Sequence, residues 1–178
     1  MLSWNSSFRY FGIDISKTRF KMRRMDRVLT KREEIESILQ QCQFGTLSTS
    51  NNGIPYGVPL SYGFIWDNNL KIYVHSASIG RKIDAIKGNP LVSFSGVSFQ
   101  KIKPVHGKNS CSASHYYYSF IAEGIARFLI QDAEKIKALN AILTHYNQPQ
   151  LPFNPKIFKK TTCIEIDVKE IMGKTPTK

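Results

Sequence analysis

"IYVHSASIGRKIDAIKGNP", residues 72–90, changes its period partway along, and that change decides the fold. Leu70, Ile72 and Val74 alternate with Lys71, Tyr73 and His75, the two-residue period of a strand with one face in a core and the other free. A His-Ser-Ala-Ser turn and Gly80 follow, and Arg81 to Lys87 reads as a short helix stopped by Gly88 and Asn89–Pro90. The helix opens on two adjacent cations, Arg81 and Lys82. Helix starts prefer negative charge, because unpaired N–H groups and the macrodipole make that end positive. A strand end, a turn and a helix start that offer free N–H groups and two cations at one point suit a phosphate. A surface helix can also begin Gly-Arg-Lys, so the motif alone leaves both readings open.

Outward from this stretch the two-residue period dominates. Phe44–Ser50 reads as a strand, Asn51–Gly53 as a tight turn, and Ile54–Trp66 as one long second strand. Strands are also expected over 91–97, over 116–129 with a glycine at a bulge or corner, and over 161–173 in strict alternation. Residues 97–115 are expected to form a long polar loop. Two further helices frame the strands. Thr30-Lys31-Arg32-Glu33 reads as a capping box before Ile35, Ile38, Leu39 and Cys42. Asp132 is expected to cap a helix with a stripe of Ala133, Ile136, Leu139, Ile142, Leu143 and Tyr146. Six strands in hairpin order with helices at the margins predict a mainly β protein with peripheral helices, built as a small antiparallel barrel. Residues 1–21 show no clear period. They are expected to be an extension, either absent if translation starts at Met22 or Met25, or an ordered arm on a domain spanning 22–178.

The 178 residues, 42% of them apolar, are enough for a real core in one domain. No window approaches the roughly eighteen consecutive apolar residues of a membrane span, and the N-terminus lacks the apolar core of a signal peptide, so a cytoplasmic protein is expected. Cys42, Cys111 and Cys163 are widely spaced and form no C-x-x-C pair, which fits a reducing compartment. The net charge of +12 is spread along the chain, with +4 in residues 1–40, +5 in 41–110 and +3 in 111–178. Only short clusters such as Phe158-Lys159-Lys160 interrupt that spread, so nucleic acid is not an expected partner. His106, Cys111 and His115 have no evident fourth ligand nearby, and no metal is expected. His145 reads as a favourable charge at a helix C-terminus. His75 differs, since it ends a core strand and directly precedes the phosphate-type turn.

Taken together, "MRRMDR", "GTLSTSNNGIPYGVPLSYGF", "IYVHSASIGRKIDAI", "NPLVSFS", "YYYSFIAEGIARF" and "IEIDVKEIMGK" resemble the 5-nitroimidazole resistance branch of the pyridoxamine 5'-phosphate oxidase-like, flavin-binding split barrels. The resemblance spans most of residues 22–174. It implies a six-stranded antiparallel split barrel that forms a homodimer with two flavins in clefts between the subunits. Arg81 and Lys82 would then meet the flavin phosphate, Lys82 being the stronger anchor. Val58, Pro59, Leu60, Ser61 and Tyr62 would run past the isoalloxazine ring and read its polar edge with backbone groups. Tyr73, Val74, His75 and Ser76 would line the path from ring to phosphate, and Ser119 would add a ring contact. FMN is the implied cofactor, with room for the adenylate half of FAD.

The implied activity is reduction of small electron-poor compounds, nitroimidazoles among them, with His75 orienting the substrate or donating a proton. The alternative is a flavin- or haem-binding protein without efficient turnover. The C-terminal "IEIDVKEIMGKTPTK" lacks the terminal arginine motif of the true oxidases, so oxidation of pyridoxamine phosphate is not expected. No G-x-G-x-x-G is present to build a dinucleotide-binding unit.

Overall fold

The computed structural model describes residues 9–10, 13–14, 23–108 and 110–175. The expected boundary at Met22 lies outside them. Arg9–Tyr10 (β1) pairs with Ile13–Asp14 (β2). From there the order is Val28–Leu29 (β3), Arg32–Gln41 (α1), Gly45–Asn51 (β4), Ile54–Leu60 (β5), Tyr62–Trp66 (β6) and Leu70–Ala77 (β7). Arg81–Gly88 (α2), Leu91–Lys103 (β8), Ser114–Leu129 (β9), Asp132–His145 (α3), Pro155–Lys160 (α4) and Thr161–Lys174 (β10) complete it.

Eight strands form one antiparallel sheet in the order β5-β4-β8-β9-β10-β7-β6, with β3 added to β10. The two ends of that path, β5 and β6, are neighbours in the chain and are joined by Ser61 alone. A sheet whose edges are one residue apart must curl until they meet at a corner, yet no ladder joins them. The result is a split barrel. Eight strands stand where six were expected for two reasons. The long strand predicted over 54–66 breaks at Ser61, and the two-residue β3 carries no readable pattern. Pro55 and Pro59 both lie on β5, an edge strand, where a missing N–H is tolerated.

Three further expectations are corrected. The polar loop predicted over 97–115 is largely a hairpin, with Val97 opposite Ser119 and Lys103 opposite Ser114. A bulge between Phe99 and Lys101 breaks the alternation that would have revealed it. The capping box at Thr30 does not form: α1 begins at Arg32 with Lys31 as its flanking residue and no side-chain cap. The helix start is held instead by Arg32, which donates to the carbonyls of Trp66 and Asp67 and lies 5.3 Å over the Trp66 ring. Asp132 is likewise the first helical residue of α3 and not its cap.

The predicted stripe on α3 is also rotated. The buried face is Lys135, Ala138, Ala141, Ile142 and His145, while Ile136 is 42% exposed. The reason is Gly63 on β6. A Cβ there would stand 2.3 Å from the carbonyl carbon of Ala141, so α3 lies flush on the strand through its small residues.

The core has two parts. Inside the barrel, Ile38 and Leu39 of α1 meet Leu47, Ile72, Phe94 and Ile166, each burial contributing about 1.5–3 kcal/mol. Outside it, Tyr73, Leu129 and Cys163 pack beneath α3. Beside that second cluster the nearly buried Glu165 accepts from Arg127 at 2.8 Å and Lys71 at 3.3 Å, and Arg127 also holds Glu134. Burial alone would raise the Glu165 pKa, but Arg127 and then Lys71 outweigh it and hold the carboxyl below the ordinary range.

The flush contact yields a test. Gly63→Ala should lower stability by about 3 kcal/mol, the upper end for overpacking, in urea denaturation. At Gly57 an added Cβ would meet Thr46 at 3.5 Å, an ordinary contact, and Gly57→Ala should change stability by less than about 1 kcal/mol.

Candidate functional site

Two open edges of the barrel frame the site. On one side runs β5, paired with β4 along one edge and with no strand on the other among the described residues. Val58, Leu60 and Ser61 are half-buried there and Pro59 is exposed. Tyr62 ends the segment with its ring fully buried and its hydroxyl donating to the Leu39 carbonyl at 2.6 Å. Its N–H donates to the Tyr146 hydroxyl at 3.3 Å. The Tyr62 backbone donor is therefore already used, whereas the outer edge of β5 is free to read a ligand.

The other edge is the end of β7. The β6 ladder stops at Val74, while β10 continues, with Cys163 opposite His75 and Thr161 opposite Ala77. Residues 75–77 thus have one open backbone edge among the described residues. Of the four residues predicted to line the ligand path, two reach the surface. Tyr73 is 2% exposed under α3, and Val74 is wholly buried in the barrel. His75 is exposed and Ser76 half-buried, its hydroxyl donating to the Ala77 carbonyl at 2.8 Å.

Gly80 turns the chain into α2 with φ of +131°, a conformation that side chains rarely adopt. The two cations at the helix start then part. The Arg81 guanidinium lies 4.8 Å over the Tyr56 ring and donates to the Pro55 carbonyl at 3.4 Å, facing β5. With Asn51, Ile54, Tyr56 and Asp84 it lines a depression of about 330 Å³. Desolvation first, and then the Lys82 ammonium, hold the imidazole below the ordinary histidine range, so His75 favours its neutral form.

Beside His75 lies a second depression of about 340 Å³, lined by His75, Ser76, Ala77, Lys156, Ile157, Lys160 and Thr161. The α4 residues were not singled out from sequence, although the signal was there. Asn154 caps the helix by accepting from the N–H groups of Lys156 and Ile157, and Pro155 starts it.

Ser119 lies elsewhere. On β9 it is paired with Val97 and Lys174, and it does not line the His75 depression. Its neighbours on that face include exposed Val97, Phe99 and Ile121, at 60%, 59% and 39%. His145 is corrected as well. It is buried at 5% exposure, with Nε2 3.1 Å from the Cys42 carbonyl and its ring 4.5 Å from that of Tyr62. Burial lowers its pKa, so it serves the core as a neutral donor. Burial pushes the Cys42 thiol up to about 12 and that of Cys163 to about 11. Among the described residues no group of three or more His, Cys, Asp or Glu is placed to hold a metal, and no helix is long and apolar enough to cross a membrane.

The sequence profile described as pyridoxamine 5'-phosphate oxidase matches residues 31–175, and the chain belongs to that family. Among solved structures it is similar to a candidate 5-nitroimidazole antibiotic resistance protein from Bacteroides thetaiotaomicron. The identity is 26% over 83% of this chain and 85% of that one, with a TM-score of 0.70. The flavocytochrome Anf3 from Azotobacter vinelandii shares the fold at 18% identity, over 91% of this chain and 74% of that one, with a TM-score of 0.71. An FAD and heme binding protein from Mycobacterium smegmatis does so at 17%, over 84% and 73%, with a TM-score of 0.66. No curated protein matches the chain.

The His75–Lys82 pairing is directly measurable. Titration of the His75 ring by NMR should give a pKa below that of an unperturbed histidine, and Lys82→Ala should raise it. No change in that variant would show that the ammonium does not act on the ring.

Proposed function

We propose that the protein is a cytoplasmic, homodimeric flavoprotein that reduces small electron-poor compounds, nitroimidazoles among them. The observation that carries this reading is the strand–turn–helix in which β7 ends open at His75 and Gly80 turns the chain into α2, with Arg81 and Lys82 at its start and Arg81 reaching Tyr56 and Pro55 of β5. The residues fit a flavin. Lys82 has no carboxylate partner among the described residues and would hold the phosphate, with Arg81 contributing from the β5 side. Val58 to Ser61 would present backbone groups to the polar edge of the ring. FMN is the cofactor of this reading, FAD being accommodated if its adenylate half lies along the open edge.

When bound, the flavin supplies the redox chemistry. The chain's own residues position and protonate. A neutral His75 can accept a hydrogen bond at one ring nitrogen and donate one from the other, so it can hold a nitro group or pass on a proton. Exposed Val97, Phe99 and Ile121 on one face of the β8–β9 ladder supply an apolar surface for a second copy of the chain, with Ser119 between them. That face would bring the Ser119 of one subunit toward the flavin of the pair.

Purified protein should be yellow, with two flavins per dimer, and dilution that separates the subunits should release them. Lys82→Ala should weaken flavin binding by about 1.5–3 kcal/mol in a fluorescence titration, the scale of a charge-assisted hydrogen bond. Arg81→Ala should cost less, because the Arg81 guanidinium is engaged by Tyr56 and Pro55. His75→Ala should keep flavin but slow single-turnover oxidation of the reduced protein by a nitroimidazole roughly 10²-fold. Colourless protein that takes up no added FMN would overturn the reading. A reduced flavin that no electron-poor compound reoxidises would make the protein a binder and not an enzyme.

A further inference from the structure

We propose that the depression between the end of β7 and α4 is a second anion-binding site, separate from Arg81, that takes a phosphate or carboxylate of a small molecule whose other end lies at His75. Two lysines, Lys156 and Lys160, line it together with His75, Ser76 and Thr161, and no acidic residue does. No carboxylate pairs with either lysine among the described residues. Lys160 belongs where it is, since a cation at a helix C-terminus complements the dipole. Lys156, one turn earlier on the same helix, lines the same groove. The volume of about 340 Å³ lies at the small end of ligand pockets and has room for a phosphate-bearing fragment.

The wall that carries these lysines is fixed in place. Lys135, buried in α3, donates to the Phe158 carbonyl at 3.0 Å and lies 4.3 Å over the Phe158 ring. Thr161 donates to the Ile157 carbonyl at 2.9 Å, and Asn154 caps the other end. A six-residue helix pinned at its start, its middle and its end holds the backbone of Lys156 and Lys160 at set positions, so the ordering that an anion imposes is confined to the two side chains. The Ser76 and Thr161 hydroxyls at the rim already donate to the Ala77 and Ile157 carbonyls, which leaves the two ammonium groups as the anion's partners. Among the described residues, only β10 borders β7 at residues 75–77, which leaves the groove open on the β6 side toward His75.

The anion could be the second phosphate of FAD or a charged group on the substrate. The choice between those sources, though not the site itself, rests on the flavin reading. The test compares wild type with a Lys156→Gln/Lys160→Gln variant and with a Lys137→Gln/Lys159→Gln variant, which loses the same charge outside the groove. Circular dichroism melts establish that all three fold. Inorganic pyrophosphate is titrated by calorimetry. The groove variant should weaken its binding about ten-fold or more, the scale of lost charge-assisted contacts, while the control stays within about two-fold. Equal weakening in both variants, or no binding by wild type, would overturn the site.

Two further arms assign the source. If the groove variant loses FAD affinity but keeps that for FMN, the anion is the cofactor's. If the ratio of FAD to FMN affinity is unchanged and half-saturation rises for para-nitrobenzoate but not for para-nitrobenzyl alcohol, it is the substrate's. Protein that binds no flavin yet retains lysine-dependent pyrophosphate binding would sink the flavin reading and leave this site standing.

Discussion

The barrel depends on where Tyr62 goes. It is the first residue past the corner at Ser61, and its ring is fully buried within 5.1 Å of Phe94, 6.0 Å of Phe120 and 4.5 Å of His145. Its hydroxyl fastens α1 through the Leu39 carbonyl, and its N–H fastens the end of α3 through Tyr146. A buried phenol without its acceptor would cost about 1–3 kcal/mol, so the corner, the plugging helix and α3 are set together. That arrangement is also why the sheet remains split. Tyr62 turns its side chain inward and gives its amide to Tyr146, so the chain leaves the β5 ladder at the corner without starting a new one across the gap.

The same economy of partners explains the electrostatics of the site. Two cations of the sheet are matched: Glu165 meets Arg127 and Lys71, and Arg127 also meets Glu134. Those around the β7–α2 turn are not. Arg81 finds an aromatic face and a carbonyl, while Lys82, Lys156 and Lys160 find no carboxylate among the described residues. The net charge of +12 is diffuse along the sequence, and folding brings two of its unmatched cations, Lys156 and Lys160, into one groove with His75. His75 responds to that field. Kept neutral by desolvation and by Lys82, it retains an acceptor nitrogen that an imidazolium would lack.

What the sequence made legible follows from physics that acts over short distances. The strand–turn–helix of 70–88 was readable because its alternation and its glycines lie next to one another, and the structure keeps that unit intact. The free face assigned to Tyr73 was a misreading of the same alternation. A strand covered by a barrel interior on one side and by α3 on the other buries both faces, and period two cannot say which polar-looking residue a distant helix will cover. His145 fails for a related reason. A histidine at a helix end looks like a charge, but Tyr62, Phe64 and Cys42 arrive from far away in the chain. The extension of the β8–β9 hairpin through 97–115 was hidden by a bulge, and the role of α4 by distance, since Lys156 and Lys160 meet His75 only once β10 has paired with β7.

That last pairing also separates what holds the protein together from what it does. β7 is buried on both faces from Ile72 to Val74, which makes it among the least replaceable strands of the sheet, and then it loses β6 as a partner and opens to solvent within one residue. A ligand at His75 therefore meets a backbone fixed by the core on its near side and by β10 on its flank, while the groups that would touch it, His75, Ser76, Lys82 and the α4 lysines, contribute little to burial. Those positions can change at little cost to the barrel, whereas Tyr62, Gly63 and Tyr73 cannot. Variation in chemistry among proteins of this fold has room at the strand end and almost none one residue before it.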